Sequence, residues 1–367
     1  MSGDIILFIV VGTALAFDVT NGFHDTANVV ATAISTRAIA PRTAVALASL
    51  LNFVGAFISL KVATTVGKGF VDTHAVTTTV VFAGLIGAIA WNVITWYYGL
   101  PSSSSHALIG GLVGSVIAAQ GTAAVQGNGL LSKLIVPAVV APLIAFLVAG
   151  LAILVVYRII GKLRPGPVNR GFRLGQLASS GLLSLSHGTN DAQKTMGVIT
   201  LALVAHGDVP SKGFNVPVWV VITAASAIGL GTFSGGWRII RTMGSRIIKM
   251  DPAQGFAAQG AGAAVILAAS SVGYPLSTTH VISGGITGAG AAKRFSAVRW
   301  GVAGNIVLAW VLTLPAAGAI GAVIFNITRL FGSGAAGPLV ITIALLSALA
   351  AVFVRRVQQA APAALAP

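Results

Sequence analysis

Cysteine and glutamate are both absent from this chain of 367 residues. Without cysteine there are no disulfides and no thiolate metal sites. The seven acidic residues are all aspartates, and charged residues make up only 8% of the chain. An ordinary soluble domain carries about 25% charged residues. That shortage, with 56% hydrophobic residues and a mean hydropathy of +0.92, excludes a soluble enzyme or a nucleic-acid-binding module. It points to a polytopic helical membrane protein in a lipid bilayer. The N-terminus lacks the basic stretch of a cleaved signal peptide: Met1 to Asp4 passes directly into the apolar run Ile5 to Phe17.

The net charge of +15 does not imply nucleic acid, because the basic residues cluster between apolar runs. Arg158, Lys162, Arg164, Arg170 and Arg173 form one cluster; Arg238, Arg241, Arg246 and Lys249 a second; Lys293, Arg294 and Arg299 a third. Arg355 and Arg356 follow the last apolar run. Such clusters mark cytoplasmic loops facing anionic lipid.

Two polar motifs each occur twice. The first reads Asn21-Gly22-Phe23-His24-Asp25-Thr26-Ala27-Asn28 and returns as His187-Gly188-Thr189-Asn190-Asp191-Ala192-Gln193-Lys194. The second runs from Pro101 through four serines to His106 and Gly110-Gly111. It returns as Pro275-Leu276-Ser277-Thr278-Thr279-His280, followed by Gly284-Gly285. The order one, two, one, two marks a duplication. Asp25 and Asp191 lie 166 positions apart, Pro101 and Pro275 174 apart, so the halves share a layout.

The organisation read from this is a first repeat over 1–157, a basic connecting loop over 158–173, a second repeat over 174–356 and a disordered tail over 357–367. Several apolar segments fall short of the roughly 20 residues that a spanning helix needs. About ten to twelve membrane elements are expected, some of them discontinuous or re-entrant. Segments 174–186 and 195–205 read as separate pieces on either side of motif one. Whether the repeats are inverted or parallel is left open by the residues themselves.

An aspartate in mid-membrane costs roughly 2.5–3.5 kcal/mol on insertion scales and is a functional candidate by default. Asp25 and Asp191 hold equivalent places in the two copies. Asp18 is a third such residue, readable as a cap to the motif-one turn. In motif two, Pro101 and Pro275 stop one helix and precede the next. Ser103, Ser104 and Ser105, with Ser277, Thr278 and Thr279, then offer hydroxyls and free backbone N–H groups at a helix start, a cradle for an anion. The glycine pairs behind them permit close helix packing. His24, His106, His187 and His280 lie within the motifs and raise proton coupling. No resident metal site or cofactor is expected, since no ligand spacing is recognisable. Nor is an enzyme: Ser105 and His106 are adjacent on a helix, so they point apart.

Taking each of the four motif copies as a helix N-terminus worth about +0.5 charge gives roughly +2; Lys194 adds one more, and the two aspartates subtract two. A phosphate adds between about −1 and −2. Uptake against an inside-negative potential costs a further 2.3 kcal/mol or so per charge per 100 mV. An anion importer of this kind needs cations to accompany its substrate.

These motifs, with Trp96-Tyr97-Tyr98-Gly99-Leu100 before Pro101, resemble the inorganic phosphate transporter (PiT) family in its bacterial low-affinity branch. The resemblance covers nearly the whole chain. It implies an inverted-repeat secondary transporter of the bacterial plasma membrane, binding inorganic phosphate between the repeats. Phosphate then falls to Ser103, Ser104, Ser105, Ser277, Thr278, Thr279, Asn28 and Asn190. The coupling ion falls to Asp25, Asp191, Asn21, His24, His187 and Lys194. Sodium-driven members typically carry Ala-Asn after the aspartate in both copies. Here the second copy has Gln193-Lys194 instead. An ammonium in that place disfavours sodium, so the expectation is a co-transported proton, with a divalent metal–phosphate complex as a further form of the substrate. A homodimer is left open. The alternatives are sodium coupling, sulfate or another oxyanion as substrate, and a cation channel.

Overall fold

The computed structural model describes residues 2–332 and 334–360. Helices dominate them, and the sole extended pairing among the described residues is one bridge between Val71 and Val125. The first half contains α1 (Ser2–Ser35), α2 (Pro41–Gly55), α3 (Lys61–Lys68), α4 (Thr78–Tyr98) and α5 (Ser104–Gln120). The short α6 (Gly127–Leu130) runs through a wider turn into α7 (Val136–Ile160). The second half contains α8 (Pro165–His206), α9 (Val218–Ser234), α10 (Trp237–Arg241), α11 (Pro252–Ser271), α12 (Thr278–Lys293), α13 (Trp300–Arg329) and α14 (Ala336–Ala360).

Four stretches are long and apolar enough to cross a membrane: Gly3–Ser35, Thr78–Tyr98, Gly127–Ile159 and Trp300–Arg329. A fifth is a pair, Val218–Ser234 and Trp237–Arg246, bent by 60°. Helices α2, α5 and α12, of 15, 17 and 16 residues, are short by comparison; α5 and α12 are largely enclosed by the protein, whereas α2 buries one face and exposes Leu50 and Val54 on the other. The membrane character and the discontinuous elements expected from the sequence are present.

The breaks fall at motif two, and their cause is local. Gly99 ends α4 with a left-handed backbone (φ 67°), Pro101 follows, and Ser103 caps α5 by accepting the His106 N–H at 3.1 Å. In the second copy Gly273 turns the chain (φ 84°), Pro275 follows, and Ser277 caps α12 by accepting the His280 N–H at 3.3 Å. Glycine supplies the left-handed turn at no steric cost, proline resists continuing the helix, and serine satisfies an orphan N–H.

Motif one behaves differently from expectation. It breaks no helix: Asn21–Asn28 lies inside the 34 residues of α1, and His187–Lys194 inside the 42 of α8. The two segments read as 174–186 and 195–205 are one helix. The expected basic loop 158–173 also shrinks to the turn at 161–164, because Pro165 starts α8 in the first helical turn, where a missing N–H costs nothing. Arg170 and Arg173 therefore ride on a helix. Residues 357–360, the start of the expected disordered tail, belong to α14; 361–367 lie outside the described residues.

The halves interlock. Helix α1 packs on α9 and α8 on α2; α4 packs on α5 and α11 on α12; α5 packs on α13 and α12 on α7. Each contact has its counterpart in the other half, as a pseudo-twofold relation requires. The two motif-one helices run antiparallel: Asp4 faces His206, Asp25 faces His187, and the Thr36 hydroxyl meets the Gln176 side chain. Glycines allow these crossings. A Cβ at Gly22 would collide with backbone of α9, and one at Gly188 with the Asn52 carbonyl of α2. Behind motif two, Gly110 meets the Leu314 carbonyl of α13 and Gly284 the Pro142 carbonyl of α7.

Candidate functional site

The starts of α5 and α12 converge on the middle of α1 and α8. The residues gathered there are polar and almost fully buried: Asp25, Asn28, Ser104, Thr278 and Thr279 are each 1–2% exposed, and Asp191 and Asn190 not at all. Asp25 is the centre of the cluster. Ser104 of α5 donates to its Oδ2 at 2.7 Å, and Thr279 of α12 donates to its Oδ1 at 3.3 Å. Thr278 stands 3.5 Å from Oδ2 and 3.2 Å from Oδ2 of Asp191, bridging the two aspartates. Asn28, one turn beyond Asp25, donates to Thr279 at 2.8 Å and Thr278 at 3.3 Å. One carboxylate thus holds hydroxyls from both helix starts.

The two copies of motif one differ in their surroundings. His24 places Nδ1 2.8 Å from Asp25 Oδ1, while its Nε2 reaches Thr95 at 3.2 Å and Ser102 at 3.3 Å. His187 sets Nε2 3.0 Å from Asp191 Oδ2, with Nδ1 3.2 Å from Asn52. Lys194 has no counterpart in the first copy. Its ammonium donates to Asp191 Oδ1, to Ser105 Oγ and to the Leu276 carbonyl at 2.7 Å. All three of its donors are thereby used. Asn190 donates to the same Leu276 carbonyl at 3.2 Å and leaves its own Oδ1 without a partner.

Not every expected residue contacts the aspartates. Ser103 and Ser277 spend their hydroxyls as helix caps. Ser105 donates to the Leu276 carbonyl at 3.2 Å and accepts from Lys194. Asn21 lies a turn away from Asp25 with its Oδ1 unpartnered. His106 and His280 turn away altogether: their rings meet edge to face at 4.8 Å, and His280 stacks on Trp310 at 4.0 Å. They line an apolar cavity of about 760 Å³ with Pro142 and Phe146.

Sequence reasoning missed Asn52, Thr95, Ser102 and Thr232. Asn52 orients His187 and itself donates to Thr232 at 2.8 Å. Thr95 and Ser102, joined at 2.8 Å, hold His24. The available signal was a lone polar residue inside an apolar run, as at Asn52. Nor did spacing reveal that Asp25, His187 and Asp191 each place a ligand atom within 4.8 Å of the others. The residues come from both halves, so no contiguous metal-binding pattern exists to be read. Two carboxylates and an imidazole suit a small cation.

The charge balance also changes from the sequence reading. Only the two motif-two copies are helix N-termini, together worth about +1. With the Lys194 ammonium they offset Asp25 and Asp191. An arriving oxyanion brings charge that these groups do not cover.

Comparison with known proteins gives this geometry its context. The phosphate transporter family profile matches residues 21–321. A "probable low-affinity inorganic phosphate transporter" of Mycobacterium tuberculosis is 53% identical over 327 residues, covering 89% of this chain and 78% of the relative. One of the same name from Bacillus subtilis is 44% identical over 328 residues, covering 89% and 98%. A solved structure titled "The sodium-dependent phosphate transporter" superposes with a TM-score of 0.78 at 27% identity, covering 89% of this chain and 99% of that one. The family and these relatives are transporters, not enzymes. With both motif pairs converged on one buried site, the chain is a membrane protein that belongs to the phosphate transporter family.

Proposed function

We propose that this chain imports inorganic phosphate across the bacterial plasma membrane as a proton-coupled secondary transporter. The observation that carries the reading is Asp25 held between Ser104 of α5 and Thr279 of α12. Phosphate oxygens compete for those hydroxyls and for the backbone N–H groups of the two helix starts. A partly protonated phosphate also donates to a carboxylate, which sulfate at neutral pH cannot do.

The charge argument supplies the coupling. Lys194 and the helix starts balance the two aspartates, so phosphate enters with about one to two uncovered negative charges. Cations must enter with it. Lys194 already fills the place beside Asp191 with a fixed positive charge, which argues for protons over sodium. The approach of Asp25, His187 and Asp191 supports a second form of the cargo, a divalent metal that enters with its own phosphate on the Asp191 Oδ2 side, where His187 lies and Lys194, held on Oδ1, does not.

The cycle is alternating access. The antiparallel motif-one helices favour an inverted arrangement of the repeats, with the site on the pseudo-twofold axis. Substrate and proton settle between the halves, the hydroxyls move from carboxylate to phosphate, and one half shifts against the other.

The test is radiolabelled phosphate uptake into proteoliposomes under an imposed pH gradient or an imposed sodium gradient. Uptake driven by pH alone is expected. Sodium-driven uptake overturns the proton assignment, and phosphate uptake blocked by excess sulfate overturns the substrate.

A further inference from the structure

Asp18 is a third buried carboxylate, and the site described above does not use it. It is fully buried, and neither of its oxygens has a hydrogen-bond partner among the described residues. It stands seven residues before Asp25, close to two helical turns, so it shares the Asp25 face about 10 Å away along α1. Asp18, Asn21, Asp25 and Asn28 recur at helical spacing and form one polar stripe. The stripe leads from Asp18 to the motif-two hydroxyls.

Its surroundings are specific. Asn21 of α1 and Thr195, Asp191 and Lys194 of α8 are the groups that act on it. Asn21 Oδ1 and Thr195 Oγ1 are themselves buried without a hydrogen-bond partner. Asp191 and Lys194, both on α8, are the charged groups facing Asp18; α10 and the wider turn after it, with Arg238, Arg241 and Arg246, pack farther along α1, where Gly236 meets Phe23 and Gly244 meets Ala31. Helices α9 and α11 carry no titratable side chain, nor does α14 through residue 351. Tyr97 and Tyr98 lie exposed at the far end of α4, Arg42 lies exposed at the start of α2, and His106 of α5 and His280 of α12 face each other. Lys68 and Phe214 form their own contact elsewhere. The repeat-related position is Ser184, whose hydroxyl is satisfied by the Ser180 carbonyl at 2.8 Å.

An ionised carboxylate so deeply buried is costly, even with the Thr195 hydroxyl and the Asn21 amide near enough to turn a donor toward it. A protonated one gains a donor, and two unpartnered acceptors stand ready for it in Asn21 Oδ1 and Thr195 Oγ1. A proton thus satisfies Asp18 and one neighbour together. A metal cation there is opposed by the Lys194 ammonium.

We propose that Asp18 is the binding site of the coupled proton, an inference that rests on the proton-coupled reading above. Lys194 transmits its state. With Asp18 protonated, Lys194 stays on Asp191, Ser105 and the Leu276 carbonyl. When Asp18 releases its proton, the new negative charge draws Lys194 away from Asp191 and loosens its grip on both motif-two copies. Proton release and release of the anion are thereby linked through one side chain.

The experiment compares wild type, Asp18→Asn and Asp18→Glu in the full chain reconstituted in proteoliposomes. Two quantities are read: phosphate exchange without gradients, and phosphate accumulation driven by a pH gradient. The expected result for Asp18→Asn is retained exchange with accumulation lowered at least about tenfold. Asp18→Glu keeps driven accumulation with a displaced pH midpoint. Wild-type accumulation in Asp18→Asn overturns the assignment. If Asp18→Asn neither exchanges nor accumulates, Asp18→Glu decides: a displaced midpoint supports the proposal, and an unchanged pH profile refutes it. A wild type indifferent to the pH gradient refutes proton coupling itself, whereas a pH-driven Asp18→Asn beside a pH-driven wild type refutes Asp18 alone.

Discussion

Replacing Lys194 by asparagine tests whether this lysine stands in for a cation. Its ammonium holds Asp191, Ser105 and the Leu276 carbonyl at once, and is itself 2% exposed. Removing one partner of a buried ion pair costs about 3–5 kcal/mol, because the other charge is left uncovered. With roughly 2.1 cal/mol/K of unfolding entropy per residue, a chain of 367 residues shifts by about 1.3 °C per kcal/mol, so melting should fall by about 5 °C. The shorter amide leaves room beside Asp191, where its own oxygen, the Asp191 carboxylate, Ser105 and the Leu276 carbonyl form a set of hard ligands. A sodium ion bound there at a hundred times its Kd restores about 2.7 kcal/mol. Intrinsic-fluorescence melting in sodium against choline measures both numbers on one sample, and uptake in the same salts tests function. The variant should melt early in choline, recover in sodium and take up phosphate with sodium stimulation. Melting equal to wild type in choline refutes the compensating charge. An early melt that sodium does not move refutes the stand-in.

Further outcomes follow from other positions. Gly188→Ala forces a Cβ onto the Asn52 carbonyl, a backbone atom that cannot swing aside, and should destabilise by about 1–3 kcal/mol in thermal melts. Gly166→Ala, with open space around it, should leave melting within about 1 kcal/mol of wild type. Ser104→Ala removes the shortest hydroxyl donor to Asp25, and an oxyanion at that helix start loses the same donor. Phosphate affinity by calorimetry should weaken about tenfold or more, given roughly 1.5–3 kcal/mol for a hydrogen bond to a charged group. Asp251 caps α11 outside the spans. Burial raises its pKa, but Tyr157, the Gln254 N–H and Lys293 outweigh that and hold it below the usual carboxylate value. A depressed pKa gives stability that is present above the unfolded value of about 3.9 and lost as pH falls through the folded one. The melting advantage of wild type over Asp251→Asn should therefore shrink below about pH 4.

Much of the site could be read from the sequence because polar residues at membrane depth are scarce and these came in duplicate. Asp25, Asp191, Ser104, Thr278 and Thr279 meet as the motif order implied. What could not be read was the path of the backbone. Asparagine, aspartate and glycine in motif one suggest a break, yet α1 and α8 run straight through. Most of their polar side chains find partners on other elements, among them Ser104 and Thr279 for Asp25, Thr278 for Asp191 and Leu276 for Asn190, so the helix keeps its own hydrogen bonds. Pro165 looked like the middle of a loop, but it begins a helix. Lys194 was visible as a substitution, whereas its three-way grip depends on the loop before α12, in the same half but 82 residues away. Asp18 looked like a cap because nothing in a linear sequence reveals that a carboxylate is buried with its hydrogen bonds unmade.

The exchange of α7 and α13 between the halves has a consequence during synthesis. Pro142 of α7 packs against Gly284 of α12, and 142 residues separate them. At roughly 5–20 residues per second, a ribosome needs about 7–30 s to cover that distance. Through that interval α7 has left the translation machinery, and the face meant for α12 meets only lipid tails. Most carbonyls of α7 tolerate such a wait, but Pro142 has no N–H to give the Ala138 carbonyl, which stays unpaired until His280 Nδ1 of α12 stands 3.2 Å from it. The first half of the chain therefore enters the bilayer unfinished, and the last helices to be made close it.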